Sequence, residues 1–446
     1  MLGVGADVCA RGPAALPVAL PAGLEWDTAR FPLAVERLGG RYRAKLAPRA
    51  LVDPAIWSGP AFHVDVEGDD ANSGVGAQDG DFSAAKRTIH AAFTAGNATG
   101  GAYRVLVKAG LYEESAFTRN GNVEPSLPVA ILGWGGRACW RAGPENVAWS
   151  DAGSTFSTQL SAVNRVFRTD LRTPRGHWTE LERVPDLPIC QATAGTWYRD
   201  SETVHVNIGK PPGPGDVVPL RGFHGARFLT HAHDLYLENI DCQGGITGAL
   251  HCDAVAARNV VGVDCTFRYA TPSDNSAPLD AARVRRTNGL VAFFGCDASF
   301  GAKDGWSFHE DGQAGMHVLL QDCTGHDNGT PGASSCNAVT SHDGCRAVVL
   351  GGDFGHSRNG TEVHCIHETR TWVAGARAVA RDTDGTSVAF KCSNLGKMWL
   401  QDTVADAAGD GDAFAVEANG GTIYTRRHRA LSGTVAASNG GVVVPF

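Results

Sequence analysis

The sequence predicts an all-β protein built as a parallel β-solenoid, and two observations carry this prediction. In the second half of the chain, a short β-branched or aromatic run is repeatedly followed by a small or acidic residue and a Gly, Asn or Asp turn. Glycine is also abundant, with 56 of 446 residues, well above the usual share of roughly 7%. The repeated units are LYLENIDCQGG (235–245), VVGVDCTFRYA (260–270), VAFFGCDASFGAKDG (291–305), VLLQDCTGHDNG (318–329), VVLGGDFGHSRNG (348–360), TWVAGARAVARDTDG (371–385) and MWLQDTVADAAGDG (398–411).

The spacing of these units separates the solenoid from other repeat folds. Successive units begin about 24 to 31 residues apart and have no 3.6-residue apolar period, which excludes helical repeats. The leucine pattern of leucine-rich repeats is missing, and a propeller would need four strands per blade with a more regular period. One rung of a parallel solenoid fits this length. The sequence therefore predicts the main body at 221–433, followed by a C-terminal tail at 434–446.

Composition excludes several classes of partner. The formal net charge is −8 without a basic run, so nucleic acid is not expected to bind. The N-terminus has no charged stretch followed by an unbroken apolar run, and neither a signal peptide nor a membrane span is predicted. The twelve cysteines lack CxxC spacing, and several end apolar runs. We expect reduced, buried thiols and assembly in a reducing cytoplasm.

The first 145 residues divide into a leading segment and the start of the solenoid. Residues 1–57 are rich in Pro, Ala and Arg and are interpreted as an N-terminal attachment segment. Residues 58–145 are expected to hold the N-terminal cap and first rungs. Within them, SAAKRTIHAAFTAG (83–96) predicts an amphipathic helix with Ile89, Ala92 and Phe93 on one face.

The order of motifs in this region resembles the opening of the pectate-lyase-like right-handed parallel β-helix superfamily. The resemblance is carried by Val64 to Gly74, Thr88 to Ala92, Tyr103 to Glu113 and Ile131 to Gly133. It implies that the helix caps the N-terminal end of a right-handed solenoid. The superfamily includes lyases, hydrolases, epimerases and non-catalytic adhesins, so the resemblance predicts a fold and leaves the activity open.

Residues 146–220 interrupt the repeat. AGTWYRDSETVHVNIG (194–209) has the pattern of two strands joined by an Asp-Ser-Glu turn, and PPGPGD (211–216) closes it. We interpret this region as an inserted β-hairpin module that projects from the solenoid and walls one side of a groove.

Ionisable residues concentrate in the turns from 304 to 368, beginning with DGWSFHEDG. In a solenoid, residues one rung apart stack at about 4.8 Å, so these turns are expected to form one polar groove. Gly325-His326 and Gly355-His356 occupy similar places in their repeats, which predicts stacked imidazoles. The candidates for catalysis are Asp304, His309, Glu310, His342 and Asp343. The candidates for substrate binding are Asp311, His326, Asp327, His356, Arg358, Glu362, His367 and Glu368.

Two chemistries suit these residues. Hydrolysis would pair Asp304, Glu310 or Asp311 with Asp343 or Glu362 as acid and base or nucleophile. A uronate lyase or epimerase would use His309 or His342 as base, with Arg346 or Arg358 as the charge partner.

Plainer interpretations stand beside these. Asp-Gly and His-Asp-Gly are good turn formers, so His342 to Gly344 is also explained as a turn. Alternation in DGWSFH predicts Trp306 and Phe308 in the core with His309 outside. His317 and His364 are expected as wall residues, and a metal site in HCIHE (364–368) is disfavoured because a strand would turn its two histidines apart.

DGWSFH, followed by Asn337 to Gly344 and then VVLGGDF, is similar to β-helix spikes of tailed phages and of phage-derived particles of the gene-transfer-agent type. This resemblance implies a virion-type spike that binds capsule or lipopolysaccharide, often as a homo-oligomer, and that docks onto other particle proteins through residues 1–57. The expected location is a phage-like particle assembled in the bacterial cytoplasm, with non-classical secretion as the alternative. A polysaccharide-degrading enzyme and a purely structural fibre remain alternatives. No cofactor is expected, although calcium is possible.

Overall fold

The computed structural model describes residues 15–117, 123–273, 279–381, 385–409 and 411–446. These residues form a parallel β-solenoid of about 12 turns, which confirms the predicted fold. Each complete turn contributes one strand to each of three sheets, which we name A, B and C in the order in which the chain visits them. Strands of successive turns pair in parallel within each sheet, and their inward side chains fill one continuous core.

The strand bounds follow the three sheets. Sheet A comprises Ala61–Val64, Tyr103–Glu113, Val129–Arg141, Leu235–Glu238, Val260–Val263, Leu290–Phe294, His317–Gln321, Arg346–Leu350, Arg370–Ala374, Lys397–Gln401, Thr422–Arg426 and Val442–Pro445. Sheet B comprises Ile240–Gln243, Thr266–Arg268, Asp297–Ser299, Thr324–His326, Asp353–Gly355, Arg377–Ala380, Val404–Ala407 and Arg429–Ser432, and the long strand Val129–Arg141 also pairs with its first member. Sheet C comprises Ala226–Phe228, Leu250–Ala256, Ala282–Thr287, Trp306–His309, Asn337–His342, Thr361–Cys365, Ser387–Ser393, Ala413–Asn419 and Thr434–Ser438.

Each repeated unit of the sequence corresponds to one strand of sheet A and one of sheet B. LYLENIDCQGG, for example, contains Leu235–Glu238 and Ile240–Gln243, with Asn239 at the corner in the left-handed region at φ 60°. The third strand of each turn lies between the units, in sheet C. Residues 382–384 and 410, at the ends of two units, lie outside the described residues.

The capping helix spans Ile89–Asn97 and covers the first turns. It begins after Thr88, whose hydroxyl accepts a hydrogen bond from the Ala91 amide, satisfying one of the free N–H groups of the first turn. Ile89, Ala92 and Phe93 are fully buried in the solenoid core, as their spacing predicts.

The inserted module consists of two small sheets and a short helix. Its elements are Ser150–Asp151, Phe156–Gln159, Val163–Arg172, Trp178–Glu180, Glu182–Arg183, the helix Leu187–Ala192, Thr196–Asp200, Thr203–Asn207 and Val217–Arg221. Thr196–Asp200 and Thr203–Asn207 form the antiparallel hairpin that the sequence predicts. The module packs on the solenoid through Trp178, whose ring stacks on Tyr269 with centroids 4.5 Å apart, and through Arg165, which donates hydrogen bonds to the carbonyls of Ala270 and Phe300.

The N-terminal segment, residues 15–57, lies along the outside of sheet A rather than apart from the solenoid. It contains the strands Leu16–Val18, Val35–Leu38 and Arg41–Ala44, the 3₁₀ turns Ala22–Leu24 and Pro48–Leu51, and the start of the helix Ala55–Ser58. Sheet A presents large apolar side chains on its outer face, including Trp372 and Trp399, and the segment buries them. Its expected role in attachment stays a prediction, and residues 1–14 lie outside the described residues.

The C-terminal residues 434–446, which we expected to form a tail, instead complete the last turn. Thr434–Ser438 pairs with Ala413–Asn419 in sheet C, and Val442–Pro445 pairs with Thr422–Arg426 in sheet A.

All eleven cysteines in the described part of the chain are free thiols, and ten of them are buried. Cys265 and Cys296 are stacked in the core, as their placement at the ends of apolar runs predicts. Within the described ranges, no helix has the length and apolar character needed to cross a membrane.

Candidate functional site

The outer face of sheet C carries polar side chains in register from turn to turn, and we call it the polar face. In Trp306–His309, Trp306 and Phe308 point into the core, which turns Ser307 and His309 outward. Parallel pairing places equivalent residues of successive turns about 4.8 Å apart. One row runs through Arg227, His251, Arg283, Ser307, Thr340, His364, Lys391 and Glu417. A second row beside it runs through Asp253, Arg285, His309 and His342.

His309 and His342 stack at the centre of the polar face. Their ring centroids are 4.2 Å apart and their planes differ by 10°. Nε2 of His309 lies 3.0 Å from the Ser307 hydroxyl, and Nε2 of His342 lies 2.9 Å from the Thr340 hydroxyl. Burial lowers the pKa of both imidazoles, that of His342 to about 4. Both rings are therefore neutral near pH 7 and stack without charge repulsion.

Asp343 follows His342 at the corner between sheets C and A and approaches two imidazoles. Its Oδ1 lies 2.9 Å from Nδ1 of His367, and its Oδ2 lies 3.8 Å from Nδ1 of His309. Asp343 and His367 both occupy the left-handed region, at φ 64° and 60°, so each turn aims a side chain at the other. One ligand atom each from His342, Asp343 and His367 lies within 4.8 Å of the others, and we call these three residues the His–Asp cluster.

A pocket of about 640 Å³ opens beside the His–Asp cluster, between the corner turns and the N-terminal segment. Glu310 is 5% exposed and lines this pocket, where its Oε1 accepts hydrogen bonds from the amides of Gly315 and Met316. Burial raises the pKa of Glu310. The other charged residues at the pocket are Glu25, Asp343, Arg346, Glu368 and Arg370.

The pocket contains two arginines that are already paired. Arg346 and Arg370 both form ion pairs with Glu25 of the N-terminal segment. The two guanidinium groups carry one positive charge more than the single Glu25 carboxylate can offset, and the pocket also contains Glu310, Asp343 and Glu368.

Charges at the N-terminal end of the polar face are also paired with each other. Asp253 forms ion pairs with Arg285 and Arg286, and Arg285 also pairs with Asp311. These pairs hold the predicted residue Asp311 beside the row that contains His309.

Asp304, predicted as a catalytic carboxylate, does not reach the polar face. It is 4% exposed, and its Oδ1 accepts hydrogen bonds from the backbone amide and the side-chain amide of Asn337. Burial and the neighbouring Asp280 raise its pKa well above the ordinary value. Its position is that of a buried carboxyl that ties two turns together.

The expectation of one groove from 304 to 368 is corrected, because its residues occupy two corners of the solenoid. His326 and His356 lie at the other corner, after sheet B, next to the inserted module, where Arg175 forms a bidentate ion pair with Asp327. The prediction that His326 stacks on His356 is wrong, because the strand pairing places His326 opposite Gly355, one residue before His356. The two rings are tilted by 43° with centroids 6.5 Å apart.

The last predicted residues divide between the two corners. Glu362 is 1% exposed and accepts hydrogen bonds from the Ser357 amide and hydroxyl, and burial raises its pKa to about 8. Arg358 lines a second pocket, of about 630 Å³, between the inserted module and the solenoid. His367 and Glu368 lie at the corner that holds the His–Asp cluster.

Sequence reasoning missed the strands of sheet C that precede Trp306. Arg283 and Arg285 lie on the polar face, and their spacing in ARVRRT is the alternation of a strand with one polar side. That signal could have identified both residues. Arg370 at the pocket has no such signal, because the N-terminal segment brings its partner Glu25 from a distant part of the chain.

Comparison with known proteins bears on the fold alone. No protein-family model and no curated protein matches the sequence. Among solved structures, the chain is similar to a glycoside hydrolase, with 10% identity, coverage of 86% of this chain and 96% of that chain, and a TM-score of 0.42. A rhamnogalacturonan lyase has 10% identity, covers 82% of each chain and has a TM-score of 0.26. The tailspike protein gp49 from Pseudomonas phage LKA1 has 9% identity, coverage of 77% of this chain and 72% of that chain, and a TM-score of 0.18.

The strand pairing defines the chain as a parallel β-helix protein, the architecture that the resemblance of its sequence implies. The solved structures above carry different activities in their names, and similarities of this degree carry no argument about the activity of this chain.

Proposed function

We propose that the protein binds cell-surface polysaccharide, capsule or lipopolysaccharide, along the polar face, as a spike of a phage-like particle. The observation that carries the proposal is the pair of in-register polar rows on the outside of sheet C, centred on His309 and His342. A structural fibre needs only solvated outer positions. Here Ser307 and Thr340 are fully buried although they point out of the core, and their hydroxyls orient the two imidazoles.

An extended glycan suits such a surface because the sugar units of the glycan and the turns of the solenoid both repeat at regular intervals. A polysaccharide presents hydroxyl and carboxylate groups at intervals along its length, and the solenoid presents donors and acceptors at each turn. The cationic side chains that flank the centre of the polar face form ion pairs with carboxylates of the protein: Arg283 with Asp280, Arg285 with Asp253 and Asp311, and Lys391 with Glu417. The surface therefore offers hydrogen-bond donors and acceptors to sugar hydroxyls and does not select for anionic groups.

The spike assignment includes attachment through residues 1–57 and assembly as a homo-oligomer in the bacterial cytoplasm. The part of this segment that the structure describes is held on sheet A by Trp26 and Tyr42, both buried against the solenoid. Attachment would therefore use its outer surface and the residues that precede it, while the polar face on sheet C stays accessible to the glycan.

A second candidate function, cleavage of the bound polysaccharide, is favoured by one observation. Glu310 and Asp343 line the same pocket, and burial raises the pKa of Glu310. A carboxyl with a raised pKa beside a second carboxylate is the arrangement of a general acid and its partner in glycoside hydrolysis.

The test measures binding and cleavage together on a panel of bacterial capsules and lipopolysaccharides. We expect the wild-type protein to bind one class of polysaccharide in the panel, and the double variant His309→Ala/His342→Ala to lose at least tenfold in affinity. The matched control is His326→Ala/His356→Ala, which removes two neighbouring imidazoles at the other corner and should bind as wild type does. Equal loss in both double variants, or binding unchanged in the first, would overturn the assignment to the polar face.

Cleavage is followed in the same samples through new reducing ends and the ultraviolet absorbance of unsaturated uronates. Reducing ends that appear with wild type and disappear with Glu310→Gln would establish the hydrolase. Binding without either product would reject the hydrolase and the lyase.

A further inference from the structure

We propose that the His–Asp cluster is a binding site for a divalent transition-metal ion of the zinc class, held by one ring nitrogen each of His342 and His367 and by the carboxylate of Asp343. The inference rests on the positions of these three side chains and does not depend on what the polar face binds. Their ligand atoms already lie within 4.8 Å of one another, and the closest pair, Asp343 Oδ1 and His367 Nδ1, is 2.9 Å apart.

The chemistry of the ligands selects the metal. Two imidazoles and one carboxylate suit zinc, cobalt, nickel and iron(II), whereas calcium and magnesium prefer sites made of oxygen ligands alone. Zinc bonds to histidine nitrogen and carboxylate oxygen at about 2.0–2.2 Å. Ligand atoms 2.9 to 4.8 Å apart therefore need only small side-chain rotations to meet at one ion.

The surroundings of His342 prepare it as a ligand. Its Nε2 lies 2.9 Å from the Thr340 hydroxyl, which leaves Nδ1 as the nitrogen that can face the metal. In the metal-bound protein Nε2 keeps its proton and donates to Thr340, the outer-shell contact that fixes the tautomer of a metal-bound histidine. The planes of His342 and His367 differ by 58°, so their lone pairs can converge.

His309 packs against the ligand His342 but is not itself a ligand of the proposed ion. Its ring lies parallel to that of His342, with only 10° between the planes, and lone pairs in parallel planes do not converge on one ion. The protein therefore supplies three ligands. A metal with three protein ligands keeps at least one open position, which is the pattern of sites that bind or activate a further molecule.

The cluster is reachable from solvent and from the neighbouring pocket. The side chains of Asp343 and His367 are 33% and 49% exposed, and Asp343 also lines the pocket with Glu310 and Glu368. An ion at the cluster would present its open position toward this pocket, where an oxygen of a bound glycan or a water molecule could occupy it.

The experiment uses the full chain without an affinity tag, dialysed against a chelator and then titrated with zinc sulfate in a calorimeter. We expect one equivalent of zinc per chain for wild type. The variants Asp343→Asn and His367→Asn should each weaken binding at least tenfold. Both asparagines preserve the turns, because asparagine tolerates the left-handed conformation that these positions adopt.

A second readout identifies the ligands directly. Cobalt(II) in place of zinc should give visible absorption bands that are absent from Asp343→Asn/His367→Asn, whereas His326→Ala/His356→Ala should retain them. Circular dichroism of each variant verifies the fold.

Three results would overturn the proposal: no zinc bound above the level of the double variant, equal loss in the His326/His356 control, or displacement of zinc by an equal concentration of calcium.

Discussion

His309 and His342 lie face to face on the outside of the solenoid, one turn apart, with ring centroids 4.2 Å from each other. Each ring is oriented by a hydroxyl two residues earlier on its own strand, so the same device occurs twice in adjacent turns. The stack brings the imidazole of His309, from the preceding turn, beside Asp343, which directly follows His342 in the chain. The structure thus joins the polar face and the His–Asp cluster through these two rings.

Because the two rings are in contact, their substitutions should not be additive. In a double-mutant cycle, His309→Ala and His342→Ala should show a coupling free energy of unfolding of about 0.5–1.5 kcal/mol, the range for stacked aromatic pairs. Urea denaturation of the four proteins measures it. A cycle of His309→Ala with His428→Ala, which pairs with Thr403 elsewhere on the solenoid, should give additive effects. Coupling of equal size in both cycles would contradict the stack.

Asp304 should affect stability rather than binding. In Asp304→Ala the backbone amide and side-chain amide of Asn337 lose their acceptor, and a buried donor left unsatisfied costs about 1–3 kcal/mol. Asp304→Asn keeps an oxygen at that place and should be close to wild type. Thermal unfolding compares the two, and the folded fraction of each variant should bind polysaccharide as wild type does. A loss of polysaccharide affinity in Asp304→Asn would show that Asp304 contributes to the binding site.

The fold could be predicted because the positions that build it recur in the sequence. Trp306 and Phe308 alternate with polar residues, and both are fully buried. Ile89 and Phe93 share one helical face, and both lie in the core. These patterns depend on local periodicity alone. The C-terminal turn was missed because its strands form the end of the solenoid, where Val435 and Val442 remain exposed and lack the pattern of buried strands.

The site could be predicted only in part, because it depends on register. Sequence reasoning identified His309, His342 and Asp343, whereas it paired His326 with His356, which stand one residue out of register. Corner turns differ in length from rung to rung, so equal spacing in the sequence does not ensure equal position in a sheet. The ion pairs of Arg346 and Arg370 with Glu25 join residues far apart in the chain, and no local pattern reveals them.

Glu362 should make the protein less stable as the pH rises. Its pKa is raised by burial from 4.5 to about 8 in the folded protein, so between these values the folded state holds a proton that the unfolded state has released. Stability linked to this group is therefore fully present below pH 4.5, falls between pH 4.5 and 8, and stays reduced above pH 8. Glu362→Gln should flatten that dependence, as measured by urea denaturation from pH 4 to 9. An unchanged profile in Glu362→Gln would refute the prediction.

Gly360 allows two neighbouring turns to approach each other closely. A Cβ atom at this position would lie 1.8 Å from the carbonyl oxygen of Cys336, a backbone atom that a side-chain rotation cannot move. Gly360→Ala should therefore lower the free energy of unfolding by about 1–3 kcal/mol, the range for overpacked substitutions. Gly101→Ala is the matched control, because no atom lies within 4 Å of its added methyl group. The melting temperature of Gly360→Ala should be clearly lower than that of Gly101→Ala. Equal melting temperatures would show that the two turns can move apart to admit the methyl group.

The hydroxyls under the two stacked imidazoles should differ in their effect on zinc. Thr340 orients His342, a proposed ligand, whereas Ser307 orients His309, which is parallel to that ligand and outside the cluster. Removal of an outer-shell partner typically weakens metal binding 10–100-fold. Thr340→Val keeps the shape of the side chain and should lower zinc affinity by at least tenfold in calorimetry, while Ser307→Ala should leave it within about twofold of wild type. Equal effects of the two variants would mean that His309 and His342 contribute alike, and the three-ligand geometry would then be wrong.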